Sequence, residues 1–129
     1  MTGFLSDEWF GLVQSCAASL PEIPGASLTM QHLVSGSPAG KVQCVVDVRD
    51  GRVVEARSGK QADAACTVTW TYEDAVALLR GELNPDVAFM QGRLKVDGDY
   101  VGLMLRLRPM FESEAGTAFV AAVRAGTDT

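Results

Sequence analysis

The sequence is poor in the groups that most protein chemistry needs. It holds one histidine and three cysteines, and 11 Lys and Arg stand against 16 Asp and Glu for a formal net charge of −5. That balance excludes nucleic acid as the main partner, because phosphate binding needs a basic surface. The local basic group Arg93, Lys95, Arg106 and Arg108 is too small to reverse the argument. Cys16, Cys44 and Cys66 are odd in number, sit among small or apolar neighbours and lack metal-ligand spacing. They read as reduced, largely buried thiols of a cytoplasmic protein. No apolar run reaches the roughly 18 residues of a membrane span. The opening "MTGFLSDEW" has neither the basic nor the apolar region of a signal peptide. A Gly-rich phosphate loop, a nucleophile elbow and a metal motif are also missing. No cofactor and no metal are expected.

What is there suits one folded domain over residues 1–129. The hydrophobic share is 47%, and a chain of this length hides roughly two-thirds of its unfolded surface. Ser6 ahead of Asp7 and Glu8 starts a helix whose face is Phe10, Val13, Ala17 and Leu20; Pro21 and Pro24 stop it. Three strand-like runs follow, "SLTMQHLVS", "KVQCVVDVR" and "RVVEARS", the last two joined by Asp50-Gly51, a strong hairpin signal. "AACTVTWT" reads as a fourth strand. Thr71 then caps a helix with face Tyr72, Ala75, Val76 and Leu79, ended by Gly81. Asn84 and Pro85 open a short helix ended by Gly92. "RLKVD" alternates as a half-buried strand. Asp99 caps a third helix through Arg108, stopped by Pro109, and "ESEAGTAFVAAVRAG" forms the last. Strands and helices are segregated, so the fold class is α+β with a mostly antiparallel sheet.

The stretch "TVTWTYEDAVALLRGELNPDVAFMQGRLKVDGDYVGLMLRL", Thr67 to Leu107, resembles the core of the sterol carrier protein 2-like domain. The match is specific at Gly81, Ala88, Phe89, Met90, Gln91, Gly92, Leu94, Val96, Gly98 and Leu103. The N-terminal half fits in pattern without diagnostic residues. The resemblance implies a five-stranded sheet backed by helices, with an apolar tunnel between sheet and C-terminal helices. It also implies a lipid ligand: a sterol, a fatty acid or a fatty acyl-CoA. The peroxisomal Ser-Lys-Leu-like ending of some members is replaced here by Thr-Asp-Thr, and many bacterial members stand alone.

The residues themselves suit such a ligand. The helix from Tyr100 carries an apolar surface wider than one packing stripe, with Leu103, Met104 and Leu107 flanked by Val101 and Leu105. Met90, Met104 and Met110 add adaptable surface. The expected lipid-binding residues are Val76, Leu79, Phe89, Met90, Leu94, Val96, Leu103, Met104, Leu107, Phe111 and Phe119. Gln91 is either a head-group contact or the cap of its short helix. Trp9 and Trp70 are core or mouth aromatics.

Two other functions fit the same features. One is an interaction module in which the apolar helices pair with a second copy or another chain; transient membrane contact and a homodimer are compatible with either. The other is a small enzyme. A register pairing Leu28 with Val48, Met30 with Val46 and His32 with Cys44 sets the sole histidine beside a thiol on an apolar face. A Cys-His nucleophile, however, needs an electropositive, partly open site, and none is visible. A tight Asp-Gly turn would also put Glu55 opposite Val46 and Arg57 opposite Cys44. Either the turn is longer or bulged, or this face lines a polar site. Asp97 and Asp99 superficially resemble a calcium loop but fit turn and cap roles better. No catalytic residue is assigned.

Overall fold

The computed structural model describes residues 2–38, 40–99, 101, 102, 105 and 108–128, the side chains of Thr2, Met110 and Phe111 excepted. Along the chain run β1 (Thr2–Gly3), α1 (Asp7–Ala17), β2 (Leu28–Ser37), β3 (Gly40–Arg49), β4 (Arg52–Ser58), β5 (Cys66–Thr71), α2 (Tyr72–Leu79), α3 (Pro85–Met90), β6 (Lys95–Gly98), α4 (Arg108–Glu112), α5 (Glu114–Ala125) and β7 (Thr127–Asp128). The fold is α+β.

The caps are set by the residues that the sequence offers for them. Ser6 Oγ accepts from the Trp9 amide at 3.2 Å, Thr71 Oγ1 from that of Asp74 at 3.2 Å, and Asn84 Oδ1 from those of Asp86 and Val87. Each satisfies donors that the first helical turn leaves open. Ser113 does the same for α5 through the Gly116 amide at 2.9 Å. Pro109, expected to end a helix, instead lies inside α4. In a first turn its missing N–H costs nothing and its fixed φ is already helical. The body of the helix expected from Asp99 lies largely outside the described residues; Asp99 Oδ1 does accept from the Gly102 amide at 2.8 Å, as a cap would.

The five strands are ordered β4-β3-β2-β5-β6. β2, β3 and β4 form a meander, β5 joins β2 in parallel, and β6 adds antiparallel to β5. The expected register of β2 and β3 holds at Leu28 with Val48, Met30 with Val46 and His32 with Cys44. Asp50 and Gly51 both take positive φ (50° and 83°), as a tight hairpin turn requires. The charge conflict on β4 is resolved by a bulge. Val53 pairs with Val48, Val54 is the extra residue, and Glu55 then pairs with Asp47 and Arg57 with Val45. The slip by one residue turns both charges away from the apolar face.

That apolar face carries Leu28, Met30, Val34, Cys44, Val48, Ala56, Cys66 and Val68, all buried. The helices lie over it, with Gln14 of α1 accepting from the Ala56 amide of edge strand β4 at 2.7 Å. The opposite face is mostly polar, with Thr29 donating to Asp47 at 2.9 Å. Its one buried amide, Gln31, donates to the carbonyls of Cys44 and Gly59 and accepts from the Gln61 amide. β1 and β7, not foreseen from the sequence, pair in parallel and bring the two chain ends together.

Candidate functional site

Between the apolar sheet face and the helices lies a cavity of about 700 Å³, inside the roughly 300–1,000 Å³ range of small-molecule sites. Its floor is the sheet: Met30, His32 and Val34 of β2, Cys44, Val46 and Val48 of β3, Val53 of β4, and Val68 and Trp70 of β5. Strand pleating puts every second residue on this face, so alternation in the sequence becomes a continuous apolar surface. Ala75, Leu78 and Leu79 of α2 form one wall and Phe119, Val120 and Val123 of α5 another. Phe4, Leu5, Trp9 and Val13 close a third side.

Polar groups gather where the cavity meets solvent. Asp86, Arg108 and Glu112 line it there and remain partly exposed. Arg108 spans Asp86 of α3 at 3.0 Å and Glu112 at 3.2 Å, which ties α3 to α4 and neutralises the cation. Arg93 is likewise paired, with Asp74 at 2.6 Å. These two pairs dissolve much of the basic group seen in the sequence. Those ion pairs hold both guanidinium groups above their usual range.

The deeper polar groups are neutral. Burial lowers the His32 imidazole to a pKa of about 4 and raises the Cys44 thiol to about 12; the Cys66 thiol is raised for the same reason. A catalytic Cys-His pair needs the opposite arrangement, a low thiol beside a basic imidazole. The adjacency expected from register is present, but the charge state that nucleophilic chemistry requires is not. All three cysteines are free thiols. Among the described residues there is no cluster of His, Cys, Asp and Glu able to hold a metal, and no helix is long and apolar enough to cross a membrane.

The expected lipid-binding residues separate into three groups. Leu79, Leu94 and Phe119 lie on the cavity wall. Val76, Phe89, Met90, Gln91 and Val96 do not line it. The inward side of α2 is Ala75, Leu78 and Leu79, one residue round from the face that included Val76. In the six-residue α3 only Ala88 is fully buried, which leaves Met90 83% exposed. Gln91 is the exposed C-cap of α3, its backbone N–H donating to the Phe89 and Val87 carbonyls. Phe89 and Val96 are half-buried against the core. Leu103, Met104 and Leu107, and the side chain of Phe111, lie outside the described residues. The sheet floor was missing from that expectation, although the register of β2 and β3 already placed Met30, His32, Cys44, Val46 and Val48 on one face.

Comparison with known proteins agrees with this fold. Residues 27–112 match the model of the SCP-2 sterol transfer family. Over 77 residues, 58% of this chain, the sequence is 43% identical to "Sterol carrier protein 2" of Bos taurus, of whose length the chain spans 14%. The solution structure of the sterol carrier protein domain 2 of Helicoverpa armigera superposes with a TM-score of 0.65 at 22% identity, covering 91% of this chain and 95% of that one. The fold also recurs within a larger enzyme. The stereoselective inverting sec-alkylsulfatase of a Pseudomonas species aligns with a TM-score of 0.56 and 23% identity, over 78% of this chain and 15% of that one.

Proposed function

The chain belongs to the SCP-2 sterol transfer family, and from that premise we propose that it is a non-catalytic lipid carrier. Residues 1–129 act as one lipid-binding domain, since a single core cluster runs from Phe10 to Val123. One hydrophobic ligand, a sterol, a fatty acid or a fatty acyl-CoA, occupies the cavity between the sheet and the C-terminal helices. The observation that carries the reading is the cavity itself. Its floor and walls are largely apolar, and the charged residues of its described lining, Asp86, Arg108 and Glu112, are ion-paired with one another near solvent. Affinity comes from removing apolar ligand surface from water, at roughly 25 cal/mol per Å² before ordering costs.

Leu79, Leu94 and Phe119 stay in the proposed site, joined by Val46, Val53, Val68, Leu78 and Val120. Val87 and Met90 on α3, with Val101 and Leu105 further along, are exposed apolar side chains. They give the surface a place to touch a membrane during ligand exchange, and a homodimer would use the same side chains.

Filling the cavity tests the proposal. Val46 is half-buried and faces the cavity from β3. Val46→Trp occupies that space without adding charge, and uptake of a fluorescent fatty acid is expected to fall at least tenfold in a protein that stays folded by circular dichroism. Undiminished uptake by a folded variant would remove the ligand from this cavity.

A further inference from the structure

The polar groups that line the cavity are nearly all occupied by other parts of the protein. Trp9 Nε1 donates to Thr127 Oγ1 at 2.8 Å. Asn84 Oδ1 is committed to the cap of α3. Arg108 is held by Asp86 and Glu112. His32 differs. It stands mid-strand on β2, the central strand of the sheet, between Cys44 on β3 and Val68 on β5. It lines the cavity, and its imidazole makes no hydrogen bond among the described residues. Its ring lies 5.8 Å from that of Trp70, centroid to centroid, and the Trp70 indole N–H is itself buried without a partner among the described residues. His32 is partly buried and opens onto the cavity, and the Trp70 N–H beside it is a buried donor left open; buried polar groups in folded proteins are nearly always satisfied, so an open pair of this kind on a cavity floor points to what fills it.

We infer that His32 is the polar recognition point of the cavity, and that the ligand carries a neutral hydroxyl or carbonyl oxygen which reaches the middle of the sheet floor. The inference rests on the carrier reading and names the class of ligand within it. A neutral imidazole offers one N–H donor and one bare nitrogen acceptor. An alcohol matches both, and a ketone or ester matches the donor. An ionised carboxylate or phosphate does not fit, since taking a charge into this apolar floor needs a partner. The only Lys or Arg among the described lining residues is Arg108, already paired near solvent. The lowered pKa of His32 agrees, because the imidazole is then neutral at physiological pH. A fatty acid would therefore keep its carboxylate toward solvent and leave His32 unmatched.

His32 is the only histidine in the chain, so its ring nitrogens give unambiguous NMR signals without assignment. Delipidated, nitrogen-15-labelled protein is titrated with 1-dodecanol, with dodecane and with dodecanoate, while uptake is followed by native mass spectrometry. With dodecanol bound, the imidazole nitrogen shifts are expected to move; with dodecane or dodecanoate they stay near the free values. The alcohol-to-alkane affinity ratio is expected to fall about tenfold in His32→Phe, the size of one lost hydrogen bond. It should largely recover in His32→Gln, which restores a donor and an acceptor. Binding of the alcohol and the alkane with an unmoved imidazole and an unchanged ratio would overturn the inference and leave the carrier reading standing. Binding of none of the three, and of no sterol either, would overturn both.

Discussion

At the scale of single residues, the site is governed by desolvation. His32 and Cys44 are cross-strand partners on an apolar face, and burial drives the imidazole down to about 4 and the thiol up to about 12. Two predictions follow from the signs. His32 has a lower pKa folded than unfolded (6.5), so between those values the unfolded chain binds a proton that the folded chain refuses. Its stabilising effect is complete above pH 6.5 and is lost as pH falls toward 4, by an amount on the order of 3 kcal/mol. Urea denaturation across that window should show the loss, and His32→Phe should flatten it. Cys44 is the titratable group beside His32 on this floor, and the charged groups of the cavity, Asp86, Arg108 and Glu112, are ion-paired with one another nearer solvent. The second prediction concerns Cys44. The thiolate is the reactive form, so Cys44 should resist iodoacetamide at pH 8 in the folded protein and react on unfolding. Alkylation at the rate of a free thiol would contradict the burial.

At the scale of elements, two devices position the cavity. The Val54 bulge turns Glu55 and Arg57 outward and keeps Val53 and Ala56 on the apolar face. Gly98 allows β6 to approach β5. Its φ is +92°, and a Cβ there would meet the Ala65 carbonyl oxygen at 2.5 Å. Gly98→Ala should therefore destabilise the protein by about 2–4 kcal/mol, read as a drop in melting temperature. Asn84→Ala, which removes both cap bonds of α3, should cost about 1 kcal/mol. Much of this level was legible in the sequence. The caps at Ser6, Thr71 and Asn84, the Asp50-Gly51 turn and the register of β2 with β3 all rest on local residue types. Less legible was anything set by packing at a distance. Pro109 signals a stop whether it follows a helix or opens one. A bulge has the same local sequence as a regular strand, and only the misplaced charges of Glu55 and Arg57 hinted at it. α3 is too short for its pattern to fix which side faces inward, so Met90, expected at the ligand, lies at the surface, and of the two roles open to Gln91 the structure shows the helix cap. β1 and β7 are two residues each and carry no periodicity.

At the scale of the whole molecule, a one-sided sheet under helices encloses more space than its side chains fill. An apolar cavity of about 700 Å³ that opens to solvent leaves apolar surface against water, a cost that a ligand offsets by covering it. Delipidated protein should thus gain stability from ligand by mass action, about 2.7 kcal/mol at a hundredfold excess over Kd, with a matching rise in melting temperature. The sheet floor escaped the site expectation because each strand contributes only one to three residues to it; the whole floor exists only once four strands are aligned. Whether the cavity holds a lipid is read by gentle native mass spectrometry of the freshly purified protein, followed by solvent extraction and re-addition of a fatty acid and a sterol. One adduct per chain that solvent releases as a lipid is expected, with uptake of one equivalent afterwards. A chain that carries no adduct and takes up neither ligand would contradict the carrier reading.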